Sequence, residues 1–285
     1  MIHVFYLAVE NSSGERLELT NNHKFYDVIE IDGLTPPNAT INTIGIAGAD
    51  GTLFNNSKLS QRNVVITLNI KYPVEKNRLN LYRFFRVKQW IRVFYKNGSR
   101  NVYIEGYIES FEDNFFVQRQ TAQISIICPD PYWKNHTESV FQFSNIIPMF
   151  EFPFCINNYG AELSTVSEES RTNVFITGVS TGGIIELTPN EDIHYLIVKN
   201  NTTNERFLIL TDLLSGDKIT INTNFGKKSV KRLRNGVETN LINERKVSST
   251  WLQFRPGNNE ISCTSSAGAI DLSGTITVVQ KYEGV

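Results

Sequence analysis

Hydrophobic and polar positions alternate with a period of two along most of the chain, the pattern of half-buried strands. The clearest run is Asn63 to Tyr72. There Val64, Ile66, Leu68, Ile70 and Tyr72 face one way, and Thr67, Asn69 and Lys71 the other. Thr121 to Cys128 repeats the pattern, with Ala122, Ile124, Ile126 and Cys128 on one face. Val102, Ile104 and Ile108 alternate with Tyr103, Glu105 and Tyr107. Asn97-Gly98, between Ile91–Tyr95 and Val102–Ile108, is a two-residue hairpin signal. An antiparallel meander is therefore expected across Ile91 to Cys128.

One segment changes period. Val74 to Gln89 has good helix formers and no Gly or Pro, with Leu81, Phe84, Phe85 and Lys88 at helical spacing, as are Leu79 and Tyr82. Pro73 stands where a helix can start. The spacing predicts one amphipathic helix against the first sheet. Its Arg78, Arg83, Arg86 and Lys88 read first as a solvated face and only then as a basic patch.

Pro129-Asp130-Pro131-Tyr132-Trp133 reads as a stiff hinge, since two prolines in three residues end the preceding strand. A boundary is expected between about Pro129 and Ser139, giving domains 1–133 and 134–285. Beyond it come short candidate strands: Val140–Phe143, Asn173–Thr177, Ile184–Leu187, His194–Val198, Arg206–Thr211, Asp217–Asn222, Lys228–Leu233, Trp251–Arg255, Glu260–Cys263 and Thr275–Lys281. Turn residues recur between them, at Gly182-Gly183, Pro189-Asn190, Asn200-Asn201, Ser215-Gly216, Asn235-Gly236 and Pro256-Gly257. This predicts a sandwich or jelly roll. The expected class is mainly β, with one helix in the first domain.

Composition narrows the function classes. The chain has 285 residues and a formal net charge of -1, with 18 Phe, 11 Tyr and only 2 Met. Near-neutrality removes the bulk electrostatic case for binding nucleic acid or acidic lipid. Three cysteines, Cys128, Cys155 and Cys263, do not make a disulfide scaffold and read as buried free thiols in a reducing cytoplasm. Met1 to Glu10 lacks the basic start and small-residue cleavage site of a secretion signal. No apolar run approaches the ~18 residues of a membrane span. The greasiest stretch, Val140 to Ile156, is interrupted by Gln142, Ser144, Asn145, Pro148, Glu151 and Pro153.

Candidate chemistry is thin. Gly178-Val179-Ser180-Thr181-Gly182 matches the G-x-S-x-G of hydrolases, but that turn must lead into a helix, and Gly183-Ile184-Ile185-Glu186-Leu187 reads as a strand. His3, His23, His136 and His194 are isolated, without metal-ligand spacing. Glu112-Asp113 and Glu168-Glu169 are adjacent carboxylates, which face opposite ways in a strand and are solvated in a loop. Lys227, Lys228, Lys231, Arg232 and Arg234 form the sharpest charge cluster, yet run straight into the Asn235-Gly236 turn as a solvated hairpin strand would. Trp251 could stack on a sugar, but the alternation Trp251, Gln253, Arg255 against Leu252, Phe254 favours a core role. No strand carries the His, Asn and Arg alternation of a galectin site, and His194-Tyr195-Leu196 does not continue that way. No catalytic, cofactor-binding or metal-binding residues are assigned.

Several motifs in order carry a family likeness. They are Asp32-Gly33-Leu34-Thr35-Pro36-Pro37, Gly48-Ala49-Asp50-Gly51, the strand Arg62 to Tyr72 with its following helix, and Cys128-Pro129-Asp130-Pro131-Tyr132-Trp133. Further on come Asn157-Asn158-Tyr159-Gly160-Ala161-Glu162, Ser215-Gly216-Asp217-Lys218-Ile219-Thr220-Ile221, and Trp251-Leu252-Gln253-Phe254-Arg255-Pro256-Gly257-Asn258-Asn259. Together they resemble the phage distal tail proteins over nearly the whole chain. The resemblance implies an N-terminal β-sandwich with one helix that closes into a hexameric ring, and a C-terminal galectin-like β-sandwich. It also implies a tail-tip or baseplate location in the virion after synthesis in the host cytoplasm. The implied partners are the tail tube protein, the tail-associated fibre or tip protein and receptor-binding proteins. No membrane, cofactor, metal or sequence-specific nucleic acid is implied.

Two departures qualify it. No large insert is present in the second half to hold an added carbohydrate-binding module, and Ala161-Glu162 stands after Gly160 where relatives carry an acidic residue directly. The helix cations are expected to pair with Glu105, Glu109, Glu112 or Asp113 of a neighbouring copy. Near-neutrality and the aromatic surplus both suit self-assembly, since like-charged subunits repel and aromatic patches make interfaces. The rival class is a lectin-like sandwich that recognises glycans; an esterase or glycosidase has little support.

Overall fold

A computed structural model describes residues 5–20, 23–48, 50–148, 164–266 and 272–285. His3, Cys155 and Asn157–Glu162 lie outside them. In chain order the strands are β1 (Tyr6–Asn11), β2 (Arg16–Glu18), β3 (Tyr26–Asp32), β4 (Ala39–Gly45), β5 (Thr52–Leu59) and β6 (Arg62–Ile70). Helix α1 (Val74–Phe84) comes next, then β7 (Trp90–Lys96), β8 (Asn101–Asp113), β9 (Thr121–Cys128) and β10 (Trp133–Asn135). Beyond these come β11 (Ser139–Gln142), β12 (Ser144–Pro148), β13 (Ser164–Ile176), β14 (Ile184–Pro189), β15 (Leu196–Asn200), β16 (Glu205–Ile209) and β17 (Lys218–Asn222). The series ends with β18 (Ser229–Arg234), β19 (Val237–Asn240), β20 (Gly257–Ser265), β21 (Leu272–Val278) and β22 (Lys281–Tyr282). The mainly β class with one α-helix is what the period-two pattern led one to expect.

The chain forms two units. Unit 1 is Met1–His136 together with Lys281–Val285, and unit 2 is Thr137–Gln280. Residues 281–285, read from sequence as part of the second domain, therefore pack with the first.

In unit 1 the strands join into a nine-stranded antiparallel sheet, ordered β2-β1-β7-β8-β9-β6-β3, with β10 pairing β8 and β22. The inward residues are those the alternation predicts: Val64, Ile66, Leu68 and Ile70 of β6, Ala122, Ile124, Ile126 and Cys128 of β9, and Val102, Ile104 and Ile108 of β8. Leu81 and Phe84 of α1, with Phe85, complete that core. The helix is shorter than expected. The Lys88 N–H donates to the Ile108 carbonyl and the Ile108 N–H to that of Gln89, so β8 captures the chain after Phe85. Lys88 takes φ +71 there, and Leu79 points outward. The Asn97-Gly98 hairpin also differs. Lys96 pairs with Asn101, so the loop has four residues rather than two. Asn97 Oδ1 accepts from the amides of Ser99 and Arg100 and stabilises the longer turn.

One polar residue sits inside unit 1. Arg62, 2% exposed at the start of β6, donates from Nε to the Pro131 carbonyl at 2.6 Å. Its Nη1 donates to the carbonyls of Gly33 at 2.5 Å and Thr35 at 2.6 Å, and its Nη2 to that of Glu283. Burial lowers its pKa from the usual arginine value. Trp133, fully buried, donates its indole N–H to the same Gly33 carbonyl at 3.3 Å. Four separate stretches of chain thus meet at one guanidinium.

Unit 2 holds two antiparallel sheets, β11-β21-β14-β17-β18-β19 and β12-β13-β20-β15-β16. Their inner faces share one core, with Ile185, Leu187, Ile219, Ile221 and Ile276 from the first and Val174, Leu196, Val198, Phe207 and Ile261 from the second. This is the expected sandwich. Trp251–Arg255 is not a strand; Phe254 makes a single bridge to Thr181. Leu252 and Phe254 are the core residues there, and Trp251 is only partly buried. β19, missed from sequence, pairs β18 across Asn235-Gly236, both at positive φ as a tight hairpin requires.

The Arg62 cluster yields a test. Arg62→Met keeps the apolar stem but leaves the Thr35, Pro131 and Glu283 carbonyls without their donor and Gly33 with the Trp133 indole N–H only. Buried groups stripped of a partner cost ~1–3 kcal/mol each, with incomplete additivity. We expect unit 1 to lose at least ~3 kcal/mol in urea unfolding followed by hydrogen exchange, with unit 2 unchanged. A loss below ~1 kcal/mol would show that the cluster is not holding unit 1 together.

Candidate assembly surface

Between β3 and β6 the chain leaves the sheet. Gly33 to Asn38 forms a loop, β4 and β5 pair with each other alone, and Arg62 returns the chain to the sheet. Gly33 is required at the exit. Its φ is +84, and a Cβ would lie 2.4 Å from the Asn63 carbonyl oxygen. At the far end Gly48 and Gly51 take φ +81 and +90 to turn the hairpin. The Gly48-Ala49-Asp50-Gly51 motif is thus the hairpin tip, and Ala49 itself lies outside the described residues.

Among the described residues none covers the hairpin. Every residue of β4 is exposed, as is β5 up to Leu59. Ile44 stands opposite Leu53, and the next pair, Thr43 and Phe54, faces the other way. Both faces near the tip are therefore apolar, with Ile41 64% and Phe54 65% exposed. A lone two-stranded hairpin is marginal in water, and contiguous exposed apolar surface marks contact sites. The hairpin's own polar ties are few: Asn42 to Asn56 at 2.5 Å and Thr40 to Ser60 at 3.3 Å.

A second apolar feature lies along β3, an outer strand of the sheet. Its register shifts between Val28 and Glu30, which turns Ile29 outward at 57% exposure. Beside it is a hollow of about 190 Å³ lined by Phe5, Val28, Ile29, Ile31, Leu34 and Tyr95, with Glu30 also at its wall.

The charged residues expected to bridge neighbours are mostly engaged at home. Glu105 receives Arg92 at 2.7 Å and Lys134 at 2.9 Å. Burial alone would raise its pKa, but these two donors outweigh that and hold it low. Glu109 accepts from Ser125 at 2.9 Å, and Asp113 accepts from the Tyr82 hydroxyl. Burial and that bond push Tyr82 up to about 12. Arg78 donates to Gln120 at 3.2 Å and lies over the Phe115 ring. Glu105, Glu109 and Asp113 each have partners within unit 1.

The other candidates also find local roles. Gly182-Gly183 leads into β14, a strand, and a Cβ on Gly182 would lie 2.5 Å from the Thr223 carbonyl oxygen, so close packing accounts for that glycine. His23 stacks on Tyr26 at 5.3 Å, His136 meets Phe94 edge-on at 5.8 Å, and exposed His194 lies 2.7 Å from Asp212. Glu169 pairs with Arg171 at 3.3 Å. Among the described residues no three His, Cys, Asp or Glu are placed to hold a metal. Cys128 and Cys263 are buried, and burial pushes Cys128 up to about 12. In the basic run, Arg234 grips buried Asp217 and lowers its pKa, while Lys231 pairs with Glu238. The Trp251 ring packs on Phe207 at 5.0 Å, with Lys228 and Arg245 each within 6 Å, so it does not offer an open platform for a sugar. Buried Asn259 ties the turn at Gly257 through the Arg255 amide and carbonyl.

Comparisons with known proteins agree with the sequence resemblance. Residues 177–277 match a family model described as the siphovirus-type tail component, C-terminal domain. No curated protein matches. The crystal structure of the SPP1 Dit (gp 19.1) protein, titled a paradigm of hub adsorption apparatus in Gram-positive infecting phages, shares the fold. It matches at TM-score 0.69 and 14% identity, over 98% of this chain and 99% of that one. The phage P2 baseplate in its activated conformation with Ca matches at TM-score 0.53 and 12% identity, over 99% and 100%. The Sr form of that baseplate matches at 0.51 and 12%, over 96% and 98%.

Gly33 at the hairpin's exit can be tested alone. Gly33→Ala meets both a positive φ and a blocked Cβ, each a strain of order 1–3 kcal/mol. We expect unit 1 to lose ~2 kcal/mol or more in urea melts. An unchanged midpoint would show that the exit is not fixed there.

Proposed function

We propose that this chain is a phage distal tail hub. Six copies close through unit 1 into a ring, with the sandwich of unit 2 as the second domain of each copy. The ring joins the end of the tail tube to the tail-tip or baseplate proteins, among them the tail-associated fibre protein and receptor-binding proteins. It works in the virion, after synthesis in the host cytoplasm, and its role is structural.

The observation that carries this reading is the fold shared along nearly the whole chain with a tail hub. The physical surface agrees with it. A closed ring repeats one heterologous interface, so each copy needs a projecting element and a receiving one. The β4–β5 hairpin projects with apolar residues on both faces, and the apolar hollow along β3 has matching chemistry on the same unit. Near-neutral charge lets six copies approach without strong repulsion.

The test is native mass spectrometry of the purified chain beside an Ile44→Asp, Leu53→Asp variant. The expected result is a species six times the 32.4 kDa chain that falls to monomer in the variant, with the same melting temperature. A wild-type chain that stays monomeric and also fails to join a tail-tube preparation contradicts the reading. A monomer that binds glycan arrays through Trp251 would favour the lectin alternative.

A further inference from the structure

Segment 281–285 follows unit 2 in the chain yet packs on the very loop that carries the hairpin. β22 pairs with β10 through Trp133–Tyr282 and Lys134–Lys281. Lys281 lies 3.0 Å from the Asp130 carboxylate, and the Arg100 guanidinium sits 3.8 Å over the Tyr282 ring. These contacts fix the first half of the segment. The second half reaches the loop. The Glu283 carbonyl takes the Arg62 Nη2, and the Val285 N–H donates to the Leu34 carbonyl at 3.1 Å. Gly284 passes so close that a Cβ would lie 3.0 Å from Pro36 Cδ and 3.3 Å from the Leu34 carbonyl oxygen.

Besides the segment, loop 33–38 is held at Gly33 by the Trp133 indole N–H and at Leu34 by packing against the core. Arg62 binds its Gly33 and Thr35 carbonyls, and the Ser60 N–H donates to Asn38 at 3.3 Å across the hairpin base. The segment supplies the remaining ties, at Leu34 and Pro36, and shares the Arg62 node. The direction in which the hairpin leaves the sheet is set at this loop.

We infer that residues 281–285 are a latch that fixes the direction of the β4–β5 hairpin, so that assembly of copies waits on the docking of a segment made only after unit 2. The consequence for assembly rests on the hub reading above; the latch itself rests on the contacts just given. With the latch open, the hairpin samples several directions, and the apparent affinity of a copy for its neighbour falls by the fraction of time spent in the competent one. A competent fraction of about one-tenth weakens each interface about tenfold, and every interface of a closed ring carries that loss.

Three full-length or near-full-length proteins test this: wild type, a chain stopped after Gln280, and Gly284→Val. The valine wedges against Pro36 while leaving the Arg62 side chain and the β22 pairing in place. Hydrogen exchange is read by segment, and assembly is read by light scattering over a concentration series. We expect faster exchange, by about tenfold or more, at Ser60 in both variants and at Val285 in Gly284→Val, the two amides that donate to the loop, with unchanged protection in unit 2 and ring formation only at about tenfold higher concentration. Should the shortened chain lose all protection in unit 1, Gly284→Val alone decides. Wild-type exchange at Ser60 and Val285 in Gly284→Val, with wild-type assembly, overturns the latch. If wild type neither assembles nor joins a tail-tube preparation, the hub reading fails, and the exchange at Ser60 still judges the latch.

Discussion

A guanidinium taken out of water must place its donors on oxygens that the fold holds still. Arg62 does so on backbone carbonyls rather than on a carboxylate. Its acceptors, Gly33, Thr35, Pro131 and Glu283, come from the hairpin's exit loop, from the proline-rich turn between β9 and β10, and from the segment beyond unit 2. The guanidinium fork is satisfied only when all these stretches are in place at once. That geometric demand is stronger than the energy of any single bond, and it explains why unit 1 is not contiguous in sequence.

The same demand separates what is rigid from what is left open. The sheet of unit 1 and the sandwich of unit 2 bury their apolar faces within themselves. The β4–β5 hairpin is paired along its length by its own backbone, but it buries neither face and has only two side-chain ties across it. Its base is fixed by Gly33, Arg62 and the Leu34 carbonyl, while its tip offers Ile44, Leu53 and Phe54 to whatever comes next. A firm base under an uncovered apolar arm is the arrangement that the proposed ring requires of each copy. Glu105 and Asp113, by contrast, are bonded within unit 1, to Arg92 and Lys134 and to the Tyr82 hydroxyl.

The sequence was readable wherever one strand face is buried and the other is not. β6, β8 and β9 show this, and their inward residues were correctly named from alternation alone. β1 was not found, because it is buried on nearly both faces and has no alternation. β4 and β5 were not found either, since a hairpin buried on neither face within its own chain leaves no period to read. Trp251–Arg255 was misread for a different reason: Leu252 and Phe254 alternate as a strand would, but the backbone there makes only one bridge. The site was legible in fragments. Gly33, Thr35, Pro131 and Trp133 all lie in the motifs that carried the family likeness, and they converge on Arg62. What no spacing could reveal is that convergence, because it joins positions 62 and 283 across the whole of unit 2.

The central claim is that the hairpin is an assembly arm held ready on a fixed base. The most direct measurement is hydrogen exchange of residues 39–59 in the dilute chain and in the assembled particle. The account predicts rapid exchange when dilute and strong protection on assembly, with the Ser60 amide at the hairpin base protected in both. Equal, rapid exchange of the hairpin in the assembled particle would contradict it.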